Sequence, residues 1–197
     1  MRALNLTCPL FLTQNDGTLT TAASAARLPI RTFASGPTNS MRGAAILSGL
    51  DDQKTASELE TRKSVIVVDV GGTTTDVGVL LPSGFPRQAA SFIEVGGVRT
   101  NFTMADVQSI GLGGGSLVRR TEKGSSSSVS VGPDSVGHNL TRDARVFGGK
   151  VLTATDLVVA SGRAELGEKG KVSDVDAETA TLGMQRIKKL LEGIIDK

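Results

Sequence analysis

Asp69 and Asp76 stand on either side of Gly71-Gly72-Thr73-Thr74-Thr75, directly after the apolar run Val65-Ile-Val-Val68. These residue types at this spacing suit a phosphate. A glycine-rich loop presents backbone N–H groups with no side chain in the way, and successive N–H groups form an anion-binding concavity. Threonine hydroxyls add further donors. A carboxylate at the end of a strand suits a hydrated Mg²⁺, which keeps several waters and takes one or two protein carboxylates beside substrate phosphates. Asp69 is therefore the candidate metal ligand. Asp69 and Asp76 are the candidate catalytic carboxylates, and Gly71, Gly72, Thr73, Thr74 and Thr75 the candidate ligand contacts. A solvated tight turn has a similar composition, so the surroundings must decide between the two readings.

The element that positions this loop reads as a hairpin. Val65 to Val70 is a β-branched apolar run, the pattern of a strand buried on both faces. Gly71-Gly72 breaks it, with both residues free to take positive φ. Val77 to Leu81 returns. A second glycine cluster follows in Ser109-Ile-Gly-Leu-Gly-Gly-Gly-Ser116. Gly113, Gly114 and Gly115 allow very close backbone approach, either to a ligand or between crowded strands. The spacing is not the dinucleotide fingerprint.

Around these loops the pattern predicts an α/β (α+β) fold: a mixed sheet with β-hairpins and flanking helices. Short strands are expected at Cys8–Thr13 and Leu19–Thr21, around the turn Gln14-Asn-Asp-Gly17. The Ala-rich segment 22–27 predicts helical turns, 30–34 a strand, and 38–50 a helix after the turn Ser35-Gly-Pro37. Residues 51–63 read as a polar surface loop or helix extension, 82–86 as a loop, and 87–95 and 98–102 as extended segments. A further hairpin is expected across Leu117–Arg120 and Val129–Val131, ended by a turn at Gly132-Pro-Asp134. Residues 157–162 predict a helix capped by Thr153 or Thr155. From Asp176 onward, Met184, Ile187, Leu191 and Ile194 fall on one helical face. Residues 1–170 are expected to form one lobe, with 171–197 an amphipathic helix packed on it.

Composition excludes several classes of function. Lys and Arg total 22 against 20 Asp and Glu, so no strong basic field draws nucleic acid or an anionic membrane. Aromatics are 3% of the chain, with no Trp or Tyr, too few for base-stacking platforms. A single cysteine, Cys8, excludes an internal disulfide, and with a single histidine, His138, no zinc site of Cys/His type assembles within one chain. No run approaches the length of a transmembrane helix. Asn5, Thr7 and Pro9 interrupt what would be the core of a signal peptide, so a soluble cytoplasmic protein is expected.

The series Val68-Asp-Val-Gly-Gly-Thr-Thr-Thr-Asp-Val77 and Ser109-Ile-Gly-Leu-Gly-Gly-Gly-Ser116 resembles the hydantoinase A/5-oxoprolinase family, within the actin-like ATPase superfamily. Gln14-Asn-Asp-Gly17, Ser35-Gly-Pro37, Val131-Gly-Pro-Asp-Ser135 and Thr153-Ala-Thr-Asp156 match in the same order, so the likeness covers about residues 9–165. The resemblance implies an actin-like (ribonuclease H-like) ATPase lobe that uses ATP and Mg²⁺ to phosphorylate and open a small cyclic amide. It also implies a hydantoinase B-type subunit or domain as partner. On this chain it gives Asp69 and Gly71–Thr75 contacts to phosphate and metal, makes Asp76 a support for the loop, and brings Gly113–Gly115 close to ligand or to an adjacent lobe. Members usually carry an earlier Asp-x-Gly-Gly-Thr loop and a later Gly-rich segment, so the chain reads as the middle portion of such a protein, inactive alone. A non-catalytic nucleotide-binding or assembly module, or a sugar-kinase-like phosphotransferase, are the alternative readings.

Overall fold

The computed structural model describes residues 5, 7–50, 63–89, 93–95, 97–101, 103–123 and 126–196. The predicted loop or helix at 51–63 lies almost wholly outside them. The chain divides into two compact units, one of residues 1–67 and 78–107, the other of residues 68–77 and 108–197.

In the first unit, β1 (Phe11–Thr13) pairs antiparallel with β2 (Leu19–Thr21), as expected, and Gly17 at φ 88° closes the turn between them. The Thr21 hydroxyl accepts from the N–H of Ser24 and so starts α1 (Ala22–Arg27). The strand expected at 30–34 is absent. Pro29 presets its own φ and opens a 3₁₀ turn over Pro29–Arg31 instead. Asn15, 2% exposed, holds that turn in place. Its N–H donates to Arg31 O (2.7 Å), its side-chain amide to Ile30 O (2.8 Å), and its side-chain oxygen accepts from Ala34 N (2.9 Å). Helix α2 (Ser35–Leu47) begins earlier than the sequence suggests and takes in Ser35-Gly36-Pro37. The first turn of a helix has no use for the N–H that proline lacks, so Pro37 fits there. Met41 and Ala45 of α2 pack with Leu80, Val67 and Val107. A Cβ on Gly78 would lie 2.2 Å from the Met41 terminal methyl, so the glycine makes room for that methionine. Farther on, β5 (Ile93–Val95) and β6 (Val98–Thr100) form a small hairpin.

A three-stranded sheet has the order β3 (Val65–Val70), β4 (Thr75–Leu80), β7 (Val107–Ile110). The β3–β4 connection is too short for anything but antiparallel pairing. The central strand β4 buries Val77 and Leu80. The expectation for β3 fails: Val65, Ile66, Val68 and Val70 are 39, 54, 40 and 60% exposed. The apolar run is real, but among the described residues β3 is an edge strand with a neighbour on one side only.

In the second unit, β8 (Ser116–Lys123) and β9 (Ser126–Ser135) form the longest hairpin, irregular between Ser116 and Val118. The turn expected at Gly132-Pro-Asp134 is instead part of β9. Short α3 (Leu140–Asp143) leads to α4 (Ala154–Ala160), and α5 (Ala177–Ile195) closes the unit. Leu112, Val118, Val131, Ala154 and Leu157 form the core, and Met184, Ile187, Leu190 and Leu191 of α5 pack against it. A Cβ on Gly183 would lie 2.4 Å from Leu157 Cδ1, so this glycine lets α5 approach α4. Arg120 of β8 pairs with Asp176 (3.0 Å) and Glu178 (2.8 Å) at the start of α5.

Candidate functional site

The loop between β3 and β4 lies in the second unit, and two sets of backbone bonds hold it. Gly71 N donates to Thr74 O at 2.9 Å, closing the loop on itself. Gly114 N donates to Gly71 O (2.9 Å) and Gly115 N to Gly72 O (2.7 Å), tying it to the second glycine cluster. Neither Gly71 nor Gly72 has positive φ, so the conformational freedom argued from the sequence is not what the loop uses.

The need for glycine lies across the contact. A Cβ on Gly113 would sit 2.6 Å from Gly72 C and from Thr73 N, and 2.7 Å from Gly71 O, all backbone atoms that cannot give way. On Gly115 it would meet Ser135 Oγ at 2.8 Å and Gly72 O at 2.9 Å. The N–H groups of this cluster are already committed: Gly113 to Ser116 Oγ (2.9 Å), Gly114 and Gly115 to the loop. Their geometry is that of a buttress. Of the two readings open from the sequence, close packing between crowded segments accounts for all three glycines.

Helix α4 anchors the buttress in turn. Thr155 donates from both its N–H and its hydroxyl to Gly114 O, each at 2.9 Å. Thr153 caps the helix through a reciprocal bond with Asp156. The Asp156 carboxylate, fully buried, accepts from Thr153 N (2.7 Å), Thr153 Oγ1 (2.9 Å) and Val146 N (2.8 Å). Such a carboxylate is tolerable inside a protein because both of its oxygens accept hydrogen bonds.

The candidate residues separate into two groups. Thr75 is fully buried and its hydroxyl donates inward to Leu112 O at 2.6 Å. Asp76 accepts from Ser109 Oγ. Both secure the loop's return strand. Gly72, Thr73 and Thr74 are exposed, and among the described residues no hydrogen bond engages their N–H groups or the hydroxyls of Thr73 and Thr74. A Cβ on Gly72 would meet nothing within 4 Å. Asp69, half-buried at the end of β3, has no side-chain partner among the described residues. An unengaged carboxylate beside free N–H and O–H donors fits a cation that keeps most of its water and shares a phosphate. No group of three or more His, Cys, Asp or Glu is placed to hold a metal by itself, among the described residues.

Sequence reasoning missed the parts played by Ser109, Ser116 and Thr155. Thr155 carries a visible signal as a possible helix cap, but its bond to Gly114 spans 41 positions and no local pattern reports it.

A glycine–threonine loop between two strands, buttressed by a second glycine cluster, sits on a mixed α/β fold. The chain belongs to the hydantoinase/oxoprolinase family, whose model matches residues 2–193. Its fold is similar to that of acetone carboxylase in a nucleotide-free structure described as part of a study of ATP-dependent acetone carboxylation. That match has a TM-score of 0.65 and 19% identity, and covers 96% of this chain but 27% of the carboxylase chain. No curated protein matches the chain significantly. No helix among the described residues is long and apolar enough to cross a membrane.

Proposed function

We propose that the second unit is the phosphate-gripping half of an ATP-dependent enzyme acting on a small cyclic amide. The observation that carries this reading is the set of unengaged donors at Gly72, Thr73 and Thr74, on a loop whose other bonds are all spent holding it still. Preorganised N–H groups stabilise charge without reorganising when it arrives, which is what phosphoryl transfer needs. Asp69 is the residue to hold Mg²⁺, which when bound neutralises phosphate charge. The N–H groups of Gly72 to Thr74 bind the terminal phosphates, and Thr75 and Asp76 keep the loop in register through Leu112 and Ser109.

Family membership supports the acceptor. The amide carbonyl oxygen takes the terminal phosphoryl group and ADP leaves. Water then attacks the activated carbon, the ring nitrogen leaves with a proton so that the C–N bond opens, and a second water hydrolyses the resulting acyl phosphate to carboxylate and inorganic phosphate. A hydantoinase B-type subunit or domain is the partner this reading calls for. The chain spans about a quarter of the carboxylase chain it resembles, so the complete reaction is a property proposed for the larger assembly. Cys8, a free and exposed thiol, suits a reducing cytoplasm.

Calorimetric titration with Mg-ATP tests the loop. Saturable binding that disappears in Asp69→Ala is the expected result. No binding at about 1 mM nucleotide, a free energy of only some 4 kcal/mol, overturns it. ADP release that depends on a hydantoin or on 5-oxoproline, measured with the partner present, separates amide opening from transfer to a sugar.

A further inference from the structure

We propose a second binding site, for a small organic carboxylate, on the first unit and independent of the phosphate loop. Two cavities share Gln14 and Arg31 in their walls. The larger, about 470 Å³, is lined by Gln14, Thr20, Ser24, Arg27, Leu28 and Arg31. Its lining includes two arginines and no acidic residue. No hydrogen bond or ion pair among the described residues engages the side chain of Arg27 or Arg31. Several arginines elsewhere are paired, Arg87 with Asp106, Arg119 with Asp134, Arg120 with Asp176 and Arg145 with Asp174, whereas Arg163 and Arg186, like Arg27 and Arg31, have no side-chain partner among the described residues. Two like charges lining one cavity with no acidic partner disfavour each other, and an anion bound between them would relieve that.

The backbone beneath Arg31 is fixed to an unusual degree for a surface turn. Buried Asn15 grips the turn at Ile30, Arg31 and Ala34, and its own carbonyl accepts from Thr38 Oγ1 at 2.9 Å. Gln14 is oriented as well. Its amide donates to Thr18 Oγ1 (2.7 Å), which donates to Asp16 Oδ1 (2.7 Å), leaving the Gln14 chain aligned along the wall. Ser24 Oγ accepts from Thr21 Oγ1 at 3.1 Å, so its own proton is free to donate into the cavity. Asp16 lines only the smaller cavity, about 280 Å³, and does not compete for the anion in the larger one.

The ligand class follows from these groups. A guanidinium is a planar fork that matches a carboxylate with two parallel bonds. The volume exceeds what an inorganic anion fills, and Leu28 offers an apolar surface to a carbon stem. No nest of free backbone N–H groups lies in the lining, unlike the phosphate loop. A short dicarboxylate, with one carboxylate for each arginine and methylenes between, satisfies all of these features.

The test is titration of the full chain with glutarate, its diamide glutaramide, and inorganic phosphate, without nucleotide. Saturable glutarate binding is expected, weakened about tenfold or more in Arg27→Gln/Arg31→Gln, which removes both charge-assisted forks. Glutaramide should not bind. Arg119→Gln, which removes an exposed charge elsewhere, should bind glutarate as the parent does. Asp69→Ala should also bind it normally, which keeps this result separate from the nucleotide reading. Both arginines are exposed, so the double variant should melt as the parent does. Equal glutarate affinity in the double variant, equal binding of the diamide, tighter binding of phosphate, or no saturation by about 10 mM glutarate would each overturn the site.

Discussion

Gly114 donates its N–H to the carbonyl of Gly71 at 2.9 Å, and that bond makes two separate glycine clusters into one device. The exposed loop faces solvent with the N–H groups of Gly72, Thr73 and Thr74 free. The buried cluster spends the Gly114 and Gly115 N–H groups on the first and that of Gly113 on Ser116, and is itself gripped by Thr155 at the start of α4. The exposed loop is thereby rigid without using the groups that a ligand needs.

Gly113→Ala should unfold the device. Its new methyl would lie 2.6 Å from two backbone atoms of the loop, inside any tolerable contact. Overpacking of this kind costs roughly 1–3 kcal/mol, at the upper end where backbone must shift. Thermal unfolding should show a clear drop in Tm, and Mg-ATP binding should weaken with it. An unchanged Tm would mean that the two clusters are not in contact in solution.

Gly72→Ala should do the opposite. Nothing lies within 4 Å of the added methyl, and the residue is not in the left-handed region, so stability should stay within about 0.5 kcal/mol. The methyl instead fills the open space beside the free N–H groups. Mg-ATP affinity should fall about tenfold with Tm unchanged, read by calorimetry and melting on the same sample. Unaltered affinity would move the phosphate away from Gly72.

These two variants also show what the sequence could and could not report. The hairpin about Asp69–Asp76, the β1–β2 hairpin, and α1, α4 and α5 were all legible, because hydrophobic period and cap residues are local signals. Thr153 and Asp156 announce α4 as a cap pair three residues apart. The division of labour between the glycines was not legible. Gly72 and Gly113 look alike in sequence, and only their separation in space makes one open and the other crowded. The exposure of β3 is hidden from the sequence for a related reason. Five apolar, β-branched positions report what a strand would bury, whereas its edge position is set by strand order, which no local pattern encodes. Residues 30–34 look strand-like in sequence, but Pro29 together with buried Asn15 makes them a turn.

Asp156→Asn should destabilise the unit that carries the loop. The carboxylate takes Val146 N on one oxygen and Thr153 N on the other, at 2.8 and 2.7 Å. An amide can accept on one side only, and turns its own N–H₂ toward a second donor. A buried donor left unsatisfied costs on the order of 1–3 kcal/mol, so the urea midpoint should fall substantially. The start of α4 holds Thr155, so Mg-ATP affinity should fall as well, although Asp156 itself is fully buried. A lower midpoint with unchanged nucleotide affinity would uncouple the cap from the loop.

Asp176 should give the fold a measurable sensitivity to acid. Its carboxylate accepts from Thr179 N at the start of α5, the largest influence on it, then from the Thr179 hydroxyl, and faces Arg120. Together these outweigh its partial desolvation and hold its pKa below the ordinary aspartate value. The unfolded chain, with a value of about 3.9, therefore binds the proton more readily than the native one between the two pKa values. The contribution is fully present above the unfolded value and is lost as pH falls through the folded one. Asp176→Asn keeps a competent helix cap, since Asn and Asp cap about equally well, but it cannot titrate. The difference in urea midpoint between parent and variant should be constant near neutral pH and should shrink steadily as the pH is lowered from about 5 to about 2. A difference that stays constant across that window would show that the Thr179 and Arg120 contacts do not favour the charged form. Added salt distinguishes the two contacts. Screening weakens the exposed Arg120 pair and leaves the direct Thr179 bonds largely intact, so most of the acid sensitivity should survive in high salt.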